Sequence, residues 1–300
     1  MVNSIINTTQ YIFNRLYSIS GIGSLTINHL VFTILSVLGV FLIELLFVGW
    51  SNSSIKRIIK FDKSTQSDFY CWILDIFNLF NFITFLITLG SIYFISGYIQ
   101  KIYTFSLLTL IENKYTLFIV IFIIHDFKNY FYHLISHKIN ILWKIHEFHH
   151  SATELNIITT YRAHFLQPII NVFFDALIFI LLGIPPHTYV IFQVILGIHK
   201  LFIHSSIKSD WGFIGKYILV SPSAHRLHHS IEPIFYNKNF GSTLIIWDHI
   251  FKTYHPHTEI YEVGIKENPY NKKGFVSDIW SIIKNFYKSI FKFLFKRKNN

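Results

Sequence analysis

The chain has 300 residues, of which 52% are hydrophobic, 18% aromatic and only 14% charged, a balance that excludes an ordinary soluble protein and indicates a membrane. Its single cysteine, Cys71, excludes an internal disulfide and a cysteine-based zinc or redox site. The formal net charge of +10 comes without a recognised nucleic-acid-binding module, so we expect the basic residues to face a membrane surface and not nucleic acid.

Two apolar segments near the amino end are long enough to cross a bilayer. Residues 29–49 contain one charge, Glu44, and residues 69–96 are long enough to cross with a tilt. The amino-terminal segment before them carries one basic residue, Arg15, whereas the link between them is basic, which places that link in the cytoplasm. The basic residues of the link are Lys56, Arg57, Lys60 and Lys63.

Later apolar segments complete the predicted membrane part. Residues 115–124 are too short to cross alone, but the same helix can continue through "HDFKNYFYHLISH". Residues 165–204 are typical of two helices separated by a turn at "GIPP". Alternation from the basic link places residues 125–164 and 205–300 on the cytoplasmic side. We therefore predict an all-α integral membrane protein with about four to five membrane helices and a cytosolic, histidine-rich helical cap.

The predicted organisation has three parts. Residues 1–68 hold the first membrane helix and the basic link, residues 69–258 form one membrane-embedded catalytic domain, and residues 259–300 form a basic amphipathic tail. No solenoid-type repeat or low-complexity linker divides the chain further.

A first polar stripe lies on the helix that continues from residue 115. At about 100° per residue, Asp126, Tyr130, His133 and His137 fall on one narrow face, whereas His125 points elsewhere. Polar groups at membrane depth are costly unless they face an interior site, so this stripe indicates such a site.

Two further clusters, "HEFHH" and "HRLHH", place histidines at positions i, i+3 and i+4, which we expect to converge on one side of a helical turn. Neutral imidazole binds iron, zinc or copper, and a four-coordinate zinc ion uses at most four protein ligands. Eight or nine histidines therefore indicate two metal ions. His204 is a plausible ninth ligand, His199 fits a supporting or interfacial position, and His164 is either an orienting residue or a surface histidine. The eight histidines of the three clusters are His133, His137, His146, His149, His150, His225, His228 and His229.

Two alternatives compete with a two-metal enzyme. His146, Glu147 and His150 have the HExxH spacing of zinc proteases, in which two histidines bind zinc and the glutamate activates water. That hypothesis leaves most of the other histidines unexplained, and Arg226 stands at the matching position of the second cluster. The second alternative is a membrane protein that stores or buffers metal without catalysis.

The carboxyl end predicts a helix on an anionic membrane surface, with a frayed basic tail as the alternative. Lys284, Lys288, Lys292 and Lys296 recur every four residues, and "KRKNN" resembles a dilysine signal for retrieval to the endoplasmic reticulum. The apolar residues opposite this stripe are Ile283, Phe286, Ile290, Phe293 and Phe295.

The order HxxxH, HxxHH, HxxHH resembles the fatty acid hydroxylase and sterol desaturase superfamily of membrane oxygenases, from about Asp68 to Pro256. The stretch "NKNFGSTLIIWDHIFKTY" also resembles the family, with Asn239, Gly241, Trp247 and Asp248 in place. Lys200 stands where some relatives have a histidine, and Lys252 where many have a glycine. The stretch "HHSATELNIITTYRAH" is closer to the branch with alkylglycerol monooxygenase and sterol-desaturase-like proteins than to the ceramide-acting fatty acid hydroxylases. The ligands that the resemblance implies are His133, His137, His146, His149, His150, His204, His225, His228 and His229.

The resemblance also implies a reaction. Two non-haem iron ions would activate O2 as cosubstrate, and a C–H bond of a membrane lipid (sterol, fatty acyl or alkyl-glycerol) would be hydroxylated or desaturated. Cytochrome b5 or a reductase would supply the electrons. Asp126 and Tyr130 would orient ligands by hydrogen bonds, with a purely structural role as the alternative. The expected location is the endoplasmic reticulum of a eukaryote or the inner membrane of a bacterium, with the metal site facing the cytoplasm.

Overall fold

The computed structural model describes residues 27–77, 79, 98–99, 101–102, 110–183, 188–259 and 262–295. Within these residues the chain is helical, without a β-strand, and extended pairing is limited to isolated bridges between Leu219 and Leu244 and between Ser230 and Val263. The described α-helices are α1 Ile27–Asn52, α2 Ser54–Lys60, α3 Lys63–Ile76, α4 Lys114–Lys138, α5 Asn140–His150, α6 Leu166–Leu182, α7 Thr188–His204, α8 Gly212–Tyr217, α9 Pro222–His228, α10 Ile246–Ile250 and α11 Phe275–Phe295, with 3-10 helices at Ile157–Tyr161 and Pro233–Phe235.

Two described helices are long and apolar enough to cross a membrane, Leu30–Asn52 within α1 and Lys114–Lys138, which is α4. The prediction that the helix from residue 115 continues to the second histidine of the first cluster is confirmed. Helices α6 and α7 have 17 residues each, at the short end of the spanning range. Most of the predicted span 69–96 and the turn residues 184–187 lie outside the described residues, so four to five spans remains a prediction.

Side-chain caps explain where several helices begin. Ser53, Asp62 and Asn113 each accept hydrogen bonds from backbone N–H groups of the first turn that follows. Ser221 caps α9 in the same way, and Pro222 follows it at the first helical position. The positions of α4 and α9, which carry histidines, are therefore set by local sequence.

The one charge in α1, Glu44, is buried and satisfied. Its carboxylate accepts hydrogen bonds from the backbone N–H of Ser54 at 2.8 Å, from the Ser54 hydroxyl at 2.7 Å and from the Ser206 N–H at 2.5 Å. Because Ser206 follows α7, Glu44 joins the first helix to the end of the helix that carries His204.

A second buried charge pair joins α4 to α6. The Lys128 Nζ lies 2.6 Å from the Asp175 carboxylate, and both side chains are almost fully buried. Charged groups in apolar helices are tolerated when they pair in the interior of a bundle. Lys128 and Asp175 thus specify how these two helices face each other.

The described core has several apolar clusters around the histidine-bearing helices. Val37 and Phe41 of α1 pack with Ile157 and Leu201, which brings the 3-10 helix against α7. Phe148 of α5 packs in a second cluster with Cys71, Tyr270 and Ile282, so α3, α5 and α11 share one core.

Helix α11 confirms the predicted helix at the carboxyl end. Ile283, Phe286 and Ile290 are partly buried against the domain, as a helix with one apolar side requires. Phe293 and Phe295 lie in the last described turn, where every residue from 291 to 295 is exposed. Lys296 and the dilysine pattern lie outside the described residues.

Candidate metal centre

All nine histidines predicted as ligands come together in the structure, in two groups. Within each group, every residue offers one ring nitrogen, and these nitrogens all lie within 4.8 Å of one another. The two groups touch, because the rings of His150 and His229 stack with centroids 4.2 Å apart. The first group is His133, His137, His146, His150 and His228, and the second group is His149, His204, His225 and His229.

Helix geometry explains why each HxxHH cluster divides between the groups. Positions i and i+4 are about 40° apart on a helix, whereas position i+3 is about 100° away from i+4. His146 and His150 accordingly join the first group while His149 faces the second. In the other cluster His225 and His229 join the second group while the intervening His228 faces the first. The expectation that all three histidines of a cluster converge on one side was wrong.

Backbone carbonyls hold the rings in fixed tautomers. The Nδ1 of His133 lies 2.8 Å from the Phe240 carbonyl oxygen, and the Nδ1 of His228 lies 2.8 Å from that of Lys238. His149 Nδ1 and His204 Nδ1 face carbonyl oxygens at 3.2 and 2.7 Å. A carbonyl only accepts, so each Nδ1 carries the proton and each Nε2 keeps a lone pair.

These lone pairs point at one another, as expected for residues that bind a metal ion. The Nε2 atoms of His149 and His204 lie 3.2 Å apart, although both are acceptors when the rings are neutral. The Nε2 atoms of His133 and His137 are buried without a hydrogen-bond partner in the described residues. Converging lone pairs are stabilised by a cation that accepts them, so the donor set fits transition-metal ions.

Burial favours the neutral, ligating form of the histidines outside the membrane helices. Burial is the main cause that lowers the pKa of His146, His149 and His150 well below the usual value, and neighbouring imidazoles lower it further. The same causes lower the pKa of His225 and His229. These rings are therefore neutral at neutral pH and need no deprotonation before they bind a metal.

Asp126 and Tyr130 do not hydrogen-bond to a predicted ligand, contrary to the role expected for them. The Asp126 carboxylate accepts hydrogen bonds from the Trp247 indole at 2.9 Å and from the Leu244 N–H at 3.1 Å. The Tyr130 hydroxyl lies 2.9 Å from the Thr253 hydroxyl. Both residues instead hold the segment that follows the third histidine cluster against α4.

Within that segment, Asp248 places the carbonyl that holds His133. Its carboxylate accepts hydrogen bonds from the Phe240 N–H at 2.7 Å, the Gly241 N–H at 2.8 Å and the Thr253 hydroxyl at 2.6 Å. The chain reverses so closely here that a Cβ on Gly241 would lie 2.9 Å from the Asp248 carboxylate. The turn therefore requires a glycine at position 241, where a side chain would collide with the Asp248 carboxylate.

We expect Asp248→Asn to weaken metal binding by about 10- to 100-fold, as for other residues that orient metal-bound histidines. An amide has one accepting oxygen, so it cannot satisfy both backbone N–H groups and the Phe240 carbonyl should shift away from His133. Metal titration of the purified variant measures the effect. Asp210→Asn is the control because Asp210 is exposed and, among the described residues, its side chain accepts a hydrogen bond only from the Gly212 N–H of its own loop. An unchanged affinity in Asp248→Asn would contradict this role.

Arg162 is a central residue that the sequence analysis did not identify. It is fully buried, and its backbone carbonyl is the acceptor for His149. Its guanidinium donates to Asp68 at 2.9 Å, to the Phe148 carbonyl at 2.9 Å and to Ser151, and also to Asn271. In the stretch "YRAH" the sequence analysis considered His164 and not Arg162. No sequence pattern identifies a residue whose backbone carbonyl holds a histidine.

Glu147 does not have the position that the protease hypothesis requires. Its carboxylate accepts hydrogen bonds from the Tyr270 hydroxyl at 2.8 Å and from the Lys144 Nζ at 2.5 Å. His146 and His150, the two histidines of the HExxH spacing, share their group with three other histidines. Glu147 therefore holds Tyr270, which precedes α11 and packs in one core cluster with Ile282 of that helix.

His164 and His199, the two other histidines considered in the sequence, lie outside both groups. His164 is fully buried, accepts a hydrogen bond from the Leu166 N–H at 2.9 Å and stacks on Phe165, so the surface alternative for it was wrong. His199 lies beside Trp211. Lys200 lines a small cavity of about 120 Å³ that both groups also line, and its carbonyl holds His204.

Fold and site together define a class: a helical protein with membrane-type apolar helices, whose buried histidines form two adjoining groups that could hold metal ions. Residues 118–253 match the family model described as Fatty acid hydroxylase, and this matched region contains all nine histidines. This region is therefore similar to the fatty acid hydroxylase superfamily. The predicted resemblance is confirmed.

Curated relatives agree with this assignment. The chain is 33% identical over 141 residues to "Alkylglycerol monooxygenase" of Xenopus tropicalis and of Homo sapiens, which covers 47% of this chain and 31% of each relative. It is 29% identical over 159 residues to "Ornithine lipid hydroxylase OlsE" of Rhizobium tropici, which covers 52% of this chain and 47% of that one. The matches thus span about a third to a half of the relatives' length. No solved structure matches the chain significantly.

Proposed function

We propose that the chain is a membrane oxidoreductase that hydroxylates or desaturates a C–H bond of a membrane lipid with O2. The observation that carries this proposal is the convergence of nine histidines, seven of them buried, in two groups whose fixed Nε2 lone pairs face one another. The names of the relatives, an alkylglycerol monooxygenase and an ornithine lipid hydroxylase, support a lipid as substrate.

We assign iron to both groups. The first group offers five imidazoles, more than the four protein ligands of a structural zinc site, and histidine-only ligation suits iron. Two iron ions, when bound, would supply the activation of O2 and the oxidation of the C–H bond. The chain's own residues hold the neutral imidazoles in place, and all six histidines of α5 and the third cluster are buried.

The balance of the hydroxylation requires an external donor. The lipid C–H bond and O2, with two electrons and two protons, give the lipid alcohol and one water. We assign the two electrons to a separate cytochrome b5 or reductase. We place the site on the cytoplasmic side of a multi-pass membrane protein, in the endoplasmic reticulum of a eukaryotic source or the inner membrane of a bacterial one.

Substitution at His228 and at Glu147 should separate the oxygenase from the protease alternative. His228→Ala removes a first-group nitrogen, so we expect lipid oxidation to fall by about 100-fold or more. Glu147→Gln should retain iron and lipid oxidation while stability decreases by about 1–3 kcal/mol, because its partners are Tyr270 and Lys144. Lipid extracts of cells grown under ¹⁸O2 and expressing each variant provide the measurement.

Three results would contradict the proposal. One is an unchanged lipid profile in His228→Ala cells. Another is peptide cleavage that disappears in Glu147→Gln together with one bound zinc per chain. A third is bound metal without oxidation of any lipid, which would indicate metal storage.

A further inference from the structure

A cavity of about 780 Å³ opens from the first histidine group toward α11. Its inner end is lined by His137, His150 and His228 together with Trp143. The volume lies in the range of about 300–1,000 Å³ that small-molecule sites occupy. Whatever enters this cavity from the surface reaches the predicted metal ligands directly.

The outer part of the cavity is positively charged. Lys266, Lys288 and Lys292 line it and are exposed, and within the described residues no carboxylate forms an ion pair with any of them. Lys144 also lines it, but its charge is offset by Glu147 at 2.5 Å. With the exposed Glu267 as the other acid of the lining, the cavity keeps an excess of positive charge.

A buried hydroxyl in the same wall lacks a partner. Ser289 is 8% exposed, and its Oγ has no hydrogen-bond partner in the described part of the chain. It lies one residue from Lys288 on α11 and lines the cavity. A buried donor without a partner is costly, so a polar group of a ligand in the cavity would stabilise it.

The face of α11 beside the cavity suits a bilayer surface. Trp280, Tyr287 and Phe291 recur on one side of the helix and are 68%, 66% and 64% exposed. Aromatic side chains next to lysines are typical of helices that lie at the level of lipid headgroups. The lysine-lined opening therefore lies where the polar ends of membrane lipids are found.

We propose that this cavity binds the anionic headgroup, a phosphate or a carboxylate, of the membrane lipid that the enzyme oxidises. The proposal rests on the proposed function and adds a substrate class to it. Lysines and histidines line one cavity, so the oxidised carbon lies close to the headgroup and not far along an apolar chain. The lysines line a cavity that ends at the histidines, and not a flat surface. A cavity of this kind fits a small headgroup better than the surface of an acidic protein donor.

Binding of octyl phosphate to the full chain in nonionic detergent tests this inference. Equilibrium dialysis without O2 or reductant measures it against a detergent blank, with neutral 1-O-octylglycerol and inorganic phosphate as comparison probes. We expect octyl phosphate to bind most tightly. The double variant Lys288→Gln/Lys292→Gln should weaken that binding by about tenfold or more, with the affinity for 1-O-octylglycerol unchanged.

Lys284→Gln is the matched control because Lys284 is exposed on the same helix but does not line the cavity. It should bind octyl phosphate like the parent chain, and unchanged iron content in all variants would show that the fold is retained. Equal binding of inorganic phosphate would overturn the lipid assignment. Octyl phosphate binding that is insensitive to the double substitution would also overturn it. Because no turnover is measured, failure of this inference is separate from failure of the oxygenase proposal.

Discussion

Removal of two histidines from either group is expected to remove one metal ion and leave the other. His133→Ala/His228→Ala acts on the first group, and His204→Ala/His225→Ala acts on the second. Each double variant should contain one iron per chain, and the combined quadruple variant should contain none. Two histidines are replaced because the first group would still offer four nitrogens after a single substitution.

Lipid oxidation should be lost in both double variants, by about 100-fold or more, because the proposed reaction uses both groups together. Elemental analysis of chains purified without oxygen gives the metal content, and product analysis gives the activity. His257→Ala is the control of the same residue type, since His257 is exposed and lies outside both groups. The assignment of one iron to each group would be contradicted if iron content decreased equally in all variants. It would also be contradicted if substitution in one group removed both ions.

The histidines could be predicted from the sequence because ligand chemistry restricts both their type and their spacing. The division of each HxxHH cluster follows from the helical angle between His149 and His150, yet which face meets which partner depends on how α4, α5, α7 and α9 pack. That packing is set by long-range contacts such as the bonds of Glu44 to Ser54 and Ser206, which no local pattern shows.

The carbonyls that fix the tautomers could not be predicted, since any residue type carries one. Phe240, Lys238 and Arg162 hold His133, His228 and His149 through their backbones. Their side chains carry no signal for this role. The family resemblance did identify Gly241 and Asp248 in this segment. The structure explains why these two residues occur there: they form a close turn that a buried carboxylate holds.

Lys252 shows how a departure from relatives can be explained in the same way. The position has φ 58°, a left-handed conformation that glycine adopts without steric cost. A glycine, as many relatives have, is therefore the less strained residue there. The lysine is exposed and belongs to neither histidine group, so the departure does not affect the donor set.

Arg162→Met is expected to lower the free energy of unfolding by about 3–5 kcal/mol, the usual cost of leaving a buried charge unpaired. The substitution removes the 2.9 Å ion pair with Asp68, and both side chains are fully buried. It also removes the bonds to the Phe148 carbonyl and Ser151, which hold the loop before α6 against α5. The Arg162 carbonyl should then shift, so the affinity for metal at the second group should decrease as well.

Thermal unfolding in detergent and metal titration measure these two effects. Arg57→Met is the matched control, because Arg57 pairs with Glu154 at 3.4 Å on a partly exposed surface, where a pair contributes about 0–1 kcal/mol. The variant Asp68→Leu/Arg162→Met should recover part of the lost stability, since it leaves no isolated charge. It should not recover metal affinity, because the loop still lacks the bonds that Arg162 makes to Phe148 and Ser151. Equal destabilisation by Arg57→Met and Arg162→Met would show that burial of the pair does not determine its contribution. An unchanged metal affinity in Arg162→Met would show that Arg162 does not position His149.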